Sequence, residues 1–241
     1  MAALALLPLR LPAVLARSRF EPTDLELEES GVVELDTQVG TMRGDPRRFF
    51  VLDWELDLGL SSWVELGIDG AVSWVGDAGQ PSSRVWDPLW LSTKIGVFDA
   101  RDAEQHTAWA FGVQLGPRLA VQGARGIGAE GLLLLGRTVR SVTVVVNAGL
   151  LVDARTVDLP RAVAAQVGLD ATWALSESWA LLGEVAGQRF LTEDPHQLAA
   201  TLGLARTTEW CDFSLIGFGG LLTPGDRFGV LLGVSPKLRV F

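Results

Sequence analysis

The chain has one cysteine, two histidines and no tyrosine, and these low counts limit the chemistry available to it. Cys211 has no second cysteine with which to form an intrachain disulfide, and a zinc site built from cysteine and histidine is excluded. His106 and His196 lie far apart in the sequence. We therefore predict no metal site and no cofactor.

The chain also lacks a basic excess and a long apolar run. Its formal net charge is -9, so it offers no basic surface for nucleic-acid phosphates or for anionic lipid headgroups. No stretch reaches the roughly 18 consecutive apolar residues that a transmembrane helix requires. Nucleic-acid binding and a helical membrane span are both excluded.

A strong alternation of apolar and polar residues is present instead. In the first such segment the apolar set Val33, Leu35 and Val39 alternates with Glu34, Asp36 and Gln38. Side chains of a strand change faces at every step, so this pattern predicts β-strands. Segments of about 9–11 residues have the length that a tilted strand needs to cross a bilayer.

Further alternating segments continue to the end of the chain, separated by connections that tend to alternate between short and long. Outer-membrane barrels have short periplasmic turns and longer outer loops. We predict an all-β protein, an antiparallel up-and-down transmembrane β-barrel of about twelve strands formed by residues 31–241. Residues 1–16 are predicted to be an export signal or its remnant, and residues 17–30 an N-terminal periplasmic segment.

Several short motifs carry a family resemblance. They are FEPTDLEL at 20–27, VELGID at 64–69, LSTKIG at 91–96, VNAG at 146–149 and LGEV at 182–185. The chain resembles outer-membrane proteins of the MetA-pathway phenol-degradation family, which are often called transporters. The resemblance implies a barrel in the bacterial outer membrane, in contact with its lipid, that admits small hydrophobic or aromatic molecules.

The last residue, Phe241, is aromatic, as is common at the end of outer-membrane barrels. We expect the C-terminal strand ending at Phe241 to be recognised by the barrel assembly machinery. Lys237 and Arg239 depart from this signal, because they are basic at alternate positions where it has apolar residues.

The polar faces of the predicted strands converge on one interior if the barrel closes. The residues expected to face this lumen are Glu34, Asp36, Asp53, Glu55, Asp57, Glu65, Asp69, Lys94, Arg118, Glu130, Asn147, Asp170, Glu184 and Asp212. Acids outnumber bases in this set, which favours a cation-preferring passage. The alternative is a packed ionic network that fills the lumen.

Catalysis is not indicated by any of these residues. Neighbouring acids such as Asp53 and Glu55 are what a period of two generates on one strand face. Neither histidine is placed opposite a nucleophile, and the GxGxxG match at 126–131 is not followed by an amphipathic helix. We predict that the protein is not an enzyme.

Three functions follow from the predicted barrel. The first is a passive outer-membrane channel or transporter for small molecules, including hydrophobic or aromatic ones. The second is a non-conducting structural or interaction barrel that anchors a cell-envelope assembly. The third is a soluble lipid-binding β-barrel, in which the apolar faces point inward and the acidic faces meet water.

Overall fold

The computed structural model describes residues 27–43, 48–76, 83–102, 107–121, 124–152, 155–156, 163–191, 197–221 and 228–240. The predicted export signal at 1–16, most of the predicted segment at 17–30, both histidines and Phe241 lie outside these ranges. Recognition of the C-terminal strand by the assembly machinery therefore stays a prediction.

Twelve long strands run through the described residues. They are β1 (Val32–Arg43), β2 (Arg48–Ser61), β3 (Val64–Gly76), β4 (Leu89–Asp102), β5 (Thr107–Leu119), β6 (Ile127–Val139), β7 (Val142–Val152), β8 (Val163–Ala174), β9 (Trp179–Phe190), β10 (Gln197–Thr207), β11 (Cys211–Gly220) and β12 (Phe228–Arg239). Three short strands, Ser83–Trp86, Ala124–Arg125 and Arg155–Thr156, lie in the longer connections.

The sheet closes on itself. Each long strand pairs antiparallel with the next one in the chain. β12 then pairs with β1, from Val32 opposite Arg239 to Arg43 opposite Phe228. This confirms the predicted twelve-stranded antiparallel barrel. Among the described residues, no helix has the length and apolar character needed to cross a membrane.

The two faces of the barrel wall have opposite character. Along β11 the side chains of Asp212, Ser214 and Ile216 are buried, whereas those of Phe213 and Leu215 are exposed. Large apolar side chains project outward, and Leu202 is 70% exposed. Such an apolar outer band is what a bilayer requires of a barrel. It contradicts the inward-facing apolar arrangement that the soluble alternative requires.

Tryptophan collects at the end of the barrel that carries the turns 62–63, 140–141, 175–178 and 208–210. The exposed indoles at this short-turn end are those of Trp63, Trp109, Trp173, Trp179 and Trp210. Indole rings favour the membrane interface because an apolar ring there keeps one polar N–H near water. The short-turn end therefore lies at a membrane interface, and both ends of the barrel domain, Val32 and Arg239, are found there.

Candidate functional site

The predicted acids concentrate on one part of the inner face. Strands β1, β2 and β3 carry seven of them, which we call the acidic wall: Glu34, Asp36, Asp53, Glu55, Asp57, Glu65 and Asp69. Hydrogen-bond register sets Glu34 opposite Asp57, and Asp36 opposite Glu55. Because directly opposed side chains on one face are close neighbours, the register packs these carboxyl groups together.

Three of these acids form a compact cluster, the acidic triad of Asp36, Glu55 and Asp57. One carboxylate oxygen from each lies within 4.8 Å of the others, and all three side chains are buried. Oxygen atoms in this arrangement are the ligands that hard cations prefer. The prediction of no metal site rests on the scarcity of cysteine and histidine. The triad is assembled by the β1–β2 register, for which the sequence offers no direct signal.

Basic side chains contact Glu34 and Glu65 of the acidic wall and Asp212 of β11. The Lys237 Nζ lies 3.1 Å from Glu34 Oε2 and 3.9 Å from Asp212 Oδ2. The Lys94 Nζ lies 3.5 Å from Glu65 Oε1. These contacts offset part of the charge repulsion and the desolvation cost of burying the acids.

A second ionic group lies on β5 and β6. Arg118 Nη1 contacts Glu130 Oε2 at 2.5 Å, and Gln166 Nε2 of β8 donates a hydrogen bond of 2.8 Å to Glu130 Oε1. Glu130 is thereby held by a cation from the adjacent strand β5 and by an amide from β8, two strands away. This arrangement fixes the carboxylate in one orientation.

Residues 27–30 cross the inner face near the short-turn end. The Glu28 amide donates to Glu65 Oε2 at 2.6 Å, and the Glu28 carboxylate lies 3.3 Å from Lys237 Nζ. An ideal Cβ at Gly59 would lie 2.3 Å from the Glu29 carbonyl oxygen, so the approach requires glycine there. Residues 27–30, which end the predicted periplasmic segment, thus contact the barrel interior.

The opposite part of the inner face is built differently. Strands β8, β9 and β10 carry buried alanines, which we call the alanine wall: Ala164, Ala180, Ala186, Ala199 and Ala205. Asp170 and Glu184 are opposed across β8 and β9, and Thr201 Oγ1 donates to Glu184 Oε2 at 3.3 Å. Asn147 of β7 is buried opposite Gly168. These predicted residues lie on strands other than those of the triad.

Sequence reasoning also missed several buried polar residues on the inner face. Gln114 Nε2 donates a hydrogen bond of 2.9 Å to Ser92 Oγ, and Gln38 and Ser235 are almost fully enclosed. Their signal was the same alternation that identified the acids, because each occupies an inner position of its strand.

Solved structures with the same fold are outer-membrane proteins. The COG4313 outer membrane channel from Pseudomonas putida F1 is 11% identical, with a TM-score of 0.63 over 90% of this chain and 99% of that one. The NanC porin is 11% identical, with a TM-score of 0.61 over 85% of this chain and 100% of that one. The KdgM porin is 9% identical, with a TM-score of 0.51 over 84% of this chain and 98% of that one.

The chain matches no protein-family model and no curated protein sequence. At these identities the structural likeness establishes the fold, which is that of a bacterial outer-membrane β-barrel. The predicted outer-membrane location is confirmed, in agreement with the apolar outer band and the interfacial tryptophans.

Proposed function

We propose that the protein is a passive outer-membrane channel for small molecules and that its interior favours cations. The observation that carries the proposal is the excess of acids over bases on the inner face. The acidic wall and four further predicted acids are accompanied there by Lys94, Arg118 and Lys237. Rings or patches of carboxylates in a pore attract cations and repel anions.

The contrast between the two walls supports a path for solutes. The inner face of β8, β9 and β10 presents small alanine side chains, whereas that of β1, β2 and β3 presents longer acidic ones. A solute moving along the alanine wall stays within the field of the acids opposite. A low-dielectric barrel wall strengthens this field by focusing it on the lumen.

A planar-bilayer recording of the refolded full-length chain tests the proposal. We expect cation-selective conductance steps, and we expect Asp53→Asn, Glu55→Gln and Asp57→Asn together to remove most of the selectivity. The control is Glu209→Gln, which removes one acid from an exposed turn and leaves the inner wall intact. Selectivity that survives the triple variant contradicts the proposed role of the acids.

The nature of the solute is proposed from a second inner feature. Met42, Val51, Ala199 and Phe218 form a buried apolar cluster on strand ends near the long loops. An apolar patch at this mouth suits small hydrophobic or aromatic molecules, as the resemblance to the phenol-degradation family also implies. Phenol added on the loop side is expected to reduce the ion current, and an unchanged current argues against this class of solute.

The second candidate function is a non-conducting barrel that anchors an envelope assembly. The contacts of residues 27–30 favour it, because Glu28 joins Glu65 of β3 to Lys237 of β12 across the short-turn end. The same recording separates the two candidates. A protein that migrates as a heat-modifiable barrel but gives no current supports the anchor and contradicts the channel.

A further inference from the structure

The acidic triad has features beyond its three carboxylates. Gly67 of β3 lies opposite Asp57 in the register, and its missing side chain leaves a space lined by oxygen atoms. An ideal Cβ at Gly67 would lie 2.6 Å from Ser92 Oγ, 2.8 Å from Asp57 Oδ1 and 3.6 Å from Glu55 Oε1. Two of the three triad carboxylates and a hydroxyl therefore surround one point on the inner wall.

A buried amide lies one inner position from the triad on β1, opposite Asp53, and lacks a hydrogen-bond partner. Gln38 is the next inner residue of β1 after Asp36, and its side chain is 2% exposed. Neither its Oε1 nor its Nε2 has a hydrogen-bond partner among the described residues. Leaving a buried amide unsatisfied costs about 1–3 kcal/mol. A cation at the triad that takes Gln38 Oε1 as a ligand would satisfy the oxygen of this amide.

A second buried oxygen flanks the triad from β12. Ser235 is fully enclosed and its Oγ lacks a partner in the described part of the chain. Thr37 of β1 is opposite Val234, so the same antiparallel register brings Asp36 beside Ser235. The surroundings of the triad thus add amide and hydroxyl oxygens to three carboxylates.

We propose that the acidic triad, completed by the space over Gly67, binds a hard divalent cation of the Ca²⁺ class. Ca²⁺ accepts carboxylate, amide and hydroxyl oxygens in flexible geometry, whereas Mg²⁺ requires a near-ideal octahedron and retains water. Three clustered carboxylates in a buried site repel one another, and a divalent cation between them converts that repulsion into attraction. The site is part of the proposed passage, but binding does not depend on conduction.

Equilibrium dialysis of the full-length chain, folded in a non-ionic detergent, against Ca²⁺ tests the proposal. We expect saturable binding that Mg²⁺ competes for weakly. Asp36→Asn, Glu55→Gln and Asp57→Asn together are expected to lower Ca²⁺ affinity on the order of a hundredfold, because ligand charge sets the affinity of such sites. Heat-modifiable migration shows whether each variant has folded.

Gly67→Ala tests the site without changing its charge. The added methyl group meets the ends of the Ser92 and Asp57 side chains, which can shift, so the barrel is expected to fold. Filling the space should lower Ca²⁺ affinity about tenfold or more. The matched control is Gly183→Ala on β9, where an ideal Cβ meets nothing within 4 Å, and it should bind Ca²⁺ as the unaltered chain does.

The outcomes distinguish this site from the proposed function. Absence of saturable Ca²⁺ binding, or binding that persists in the folded triple variant and in Gly67→Ala, overturns the cation site. Should the triple variant not fold, Gly67→Ala and Gly183→Ala decide the matter alone. A barrel that binds Ca²⁺ but carries no current contradicts the channel and leaves the cation site standing.

Discussion

The acidic wall and the alanine wall belong to the same barrel and meet the same membrane, yet their inner faces differ. Strands β1, β2 and β3 crowd carboxylates together, whereas the inner faces of β8, β9 and β10 carry alanines, neutral amides and two opposed acids. Lipid requires that the outward positions within the hydrocarbon region be apolar. The inner positions are free of that requirement, so the features that determine function lie on the inner face.

The contacts of the two walls should also stabilise the barrel to different extents. We expect Lys237→Met to lower the free energy of unfolding more than any of the substitutions that follow. The substitution removes the ammonium that contacts Glu34, Asp212 and Glu28 and leaves these acids buried near one another. Removing one partner of a buried ion pair costs about 3–5 kcal/mol. Urea unfolding in detergent measures the loss in the free energy of unfolding.

A neutral contact next to the alanine wall is the matched control for Lys237→Met. Gln188 Nε2 donates a hydrogen bond of 3.1 Å to Gln166 Oε1, and Gln188→Met removes it. We expect a cost of about 1 kcal/mol, typical of one neutral hydrogen bond. If the two methionine variants lost equal free energy of unfolding, the Lys237 ion pairs would stabilise the barrel no more than the Gln188 hydrogen bond does. That result would contradict the expected difference between the two walls.

The tightness of strand packing should also differ between β5, outside both walls, and β9 of the alanine wall. An ideal Cβ at Gly116 of β5 would lie 1.7 Å from the Leu91 carbonyl oxygen, which is backbone and cannot rotate away. We expect Gly116→Ala to cost about 1–3 kcal/mol through strand displacement, whereas Gly183→Ala on β9 should cost little. Urea unfolding of both alanine variants checks this, and similar midpoints would contradict it.

The smallest effect is expected from Arg239→Gln. Arg239 contacts Glu29, as Lys237 contacts Glu28, but these two side chains are 66% and 69% exposed. Exposed ion pairs contribute about 0–1 kcal/mol, because water and salt screen them. A loss comparable to that of Lys237→Met would show that burial is not what gives the Lys237 contacts their importance.

Alternation in the sequence was sufficient to predict the strands and their inner and outer faces, because a two-residue period is a local property of the chain. It failed where the backbone is irregular. In β4 the register with β5 shifts between Gly96 and Phe98, and Val97 and Phe98 are both exposed. Beyond this irregularity β4 continues to Asp102.

The triad and the path of residues 27–30 were not predictable from the sequence for a different reason. Both depend on contacts between positions distant in the chain. Asp36 meets Glu55 through the β1–β2 register, and Glu28 meets Lys237 only when the barrel closes. Alternation along the strands identified the acids as inner residues, but only the register shows which of them share a site.

The reversal potential of the unaltered protein in a bilayer, under a gradient of KCl, tests the central claim most directly. An acid-rich passage predicts a potential of the sign that marks K⁺ as the more permeant ion. A potential near zero, or one of the opposite sign, would contradict the claim that the acidic wall governs what passes through the barrel.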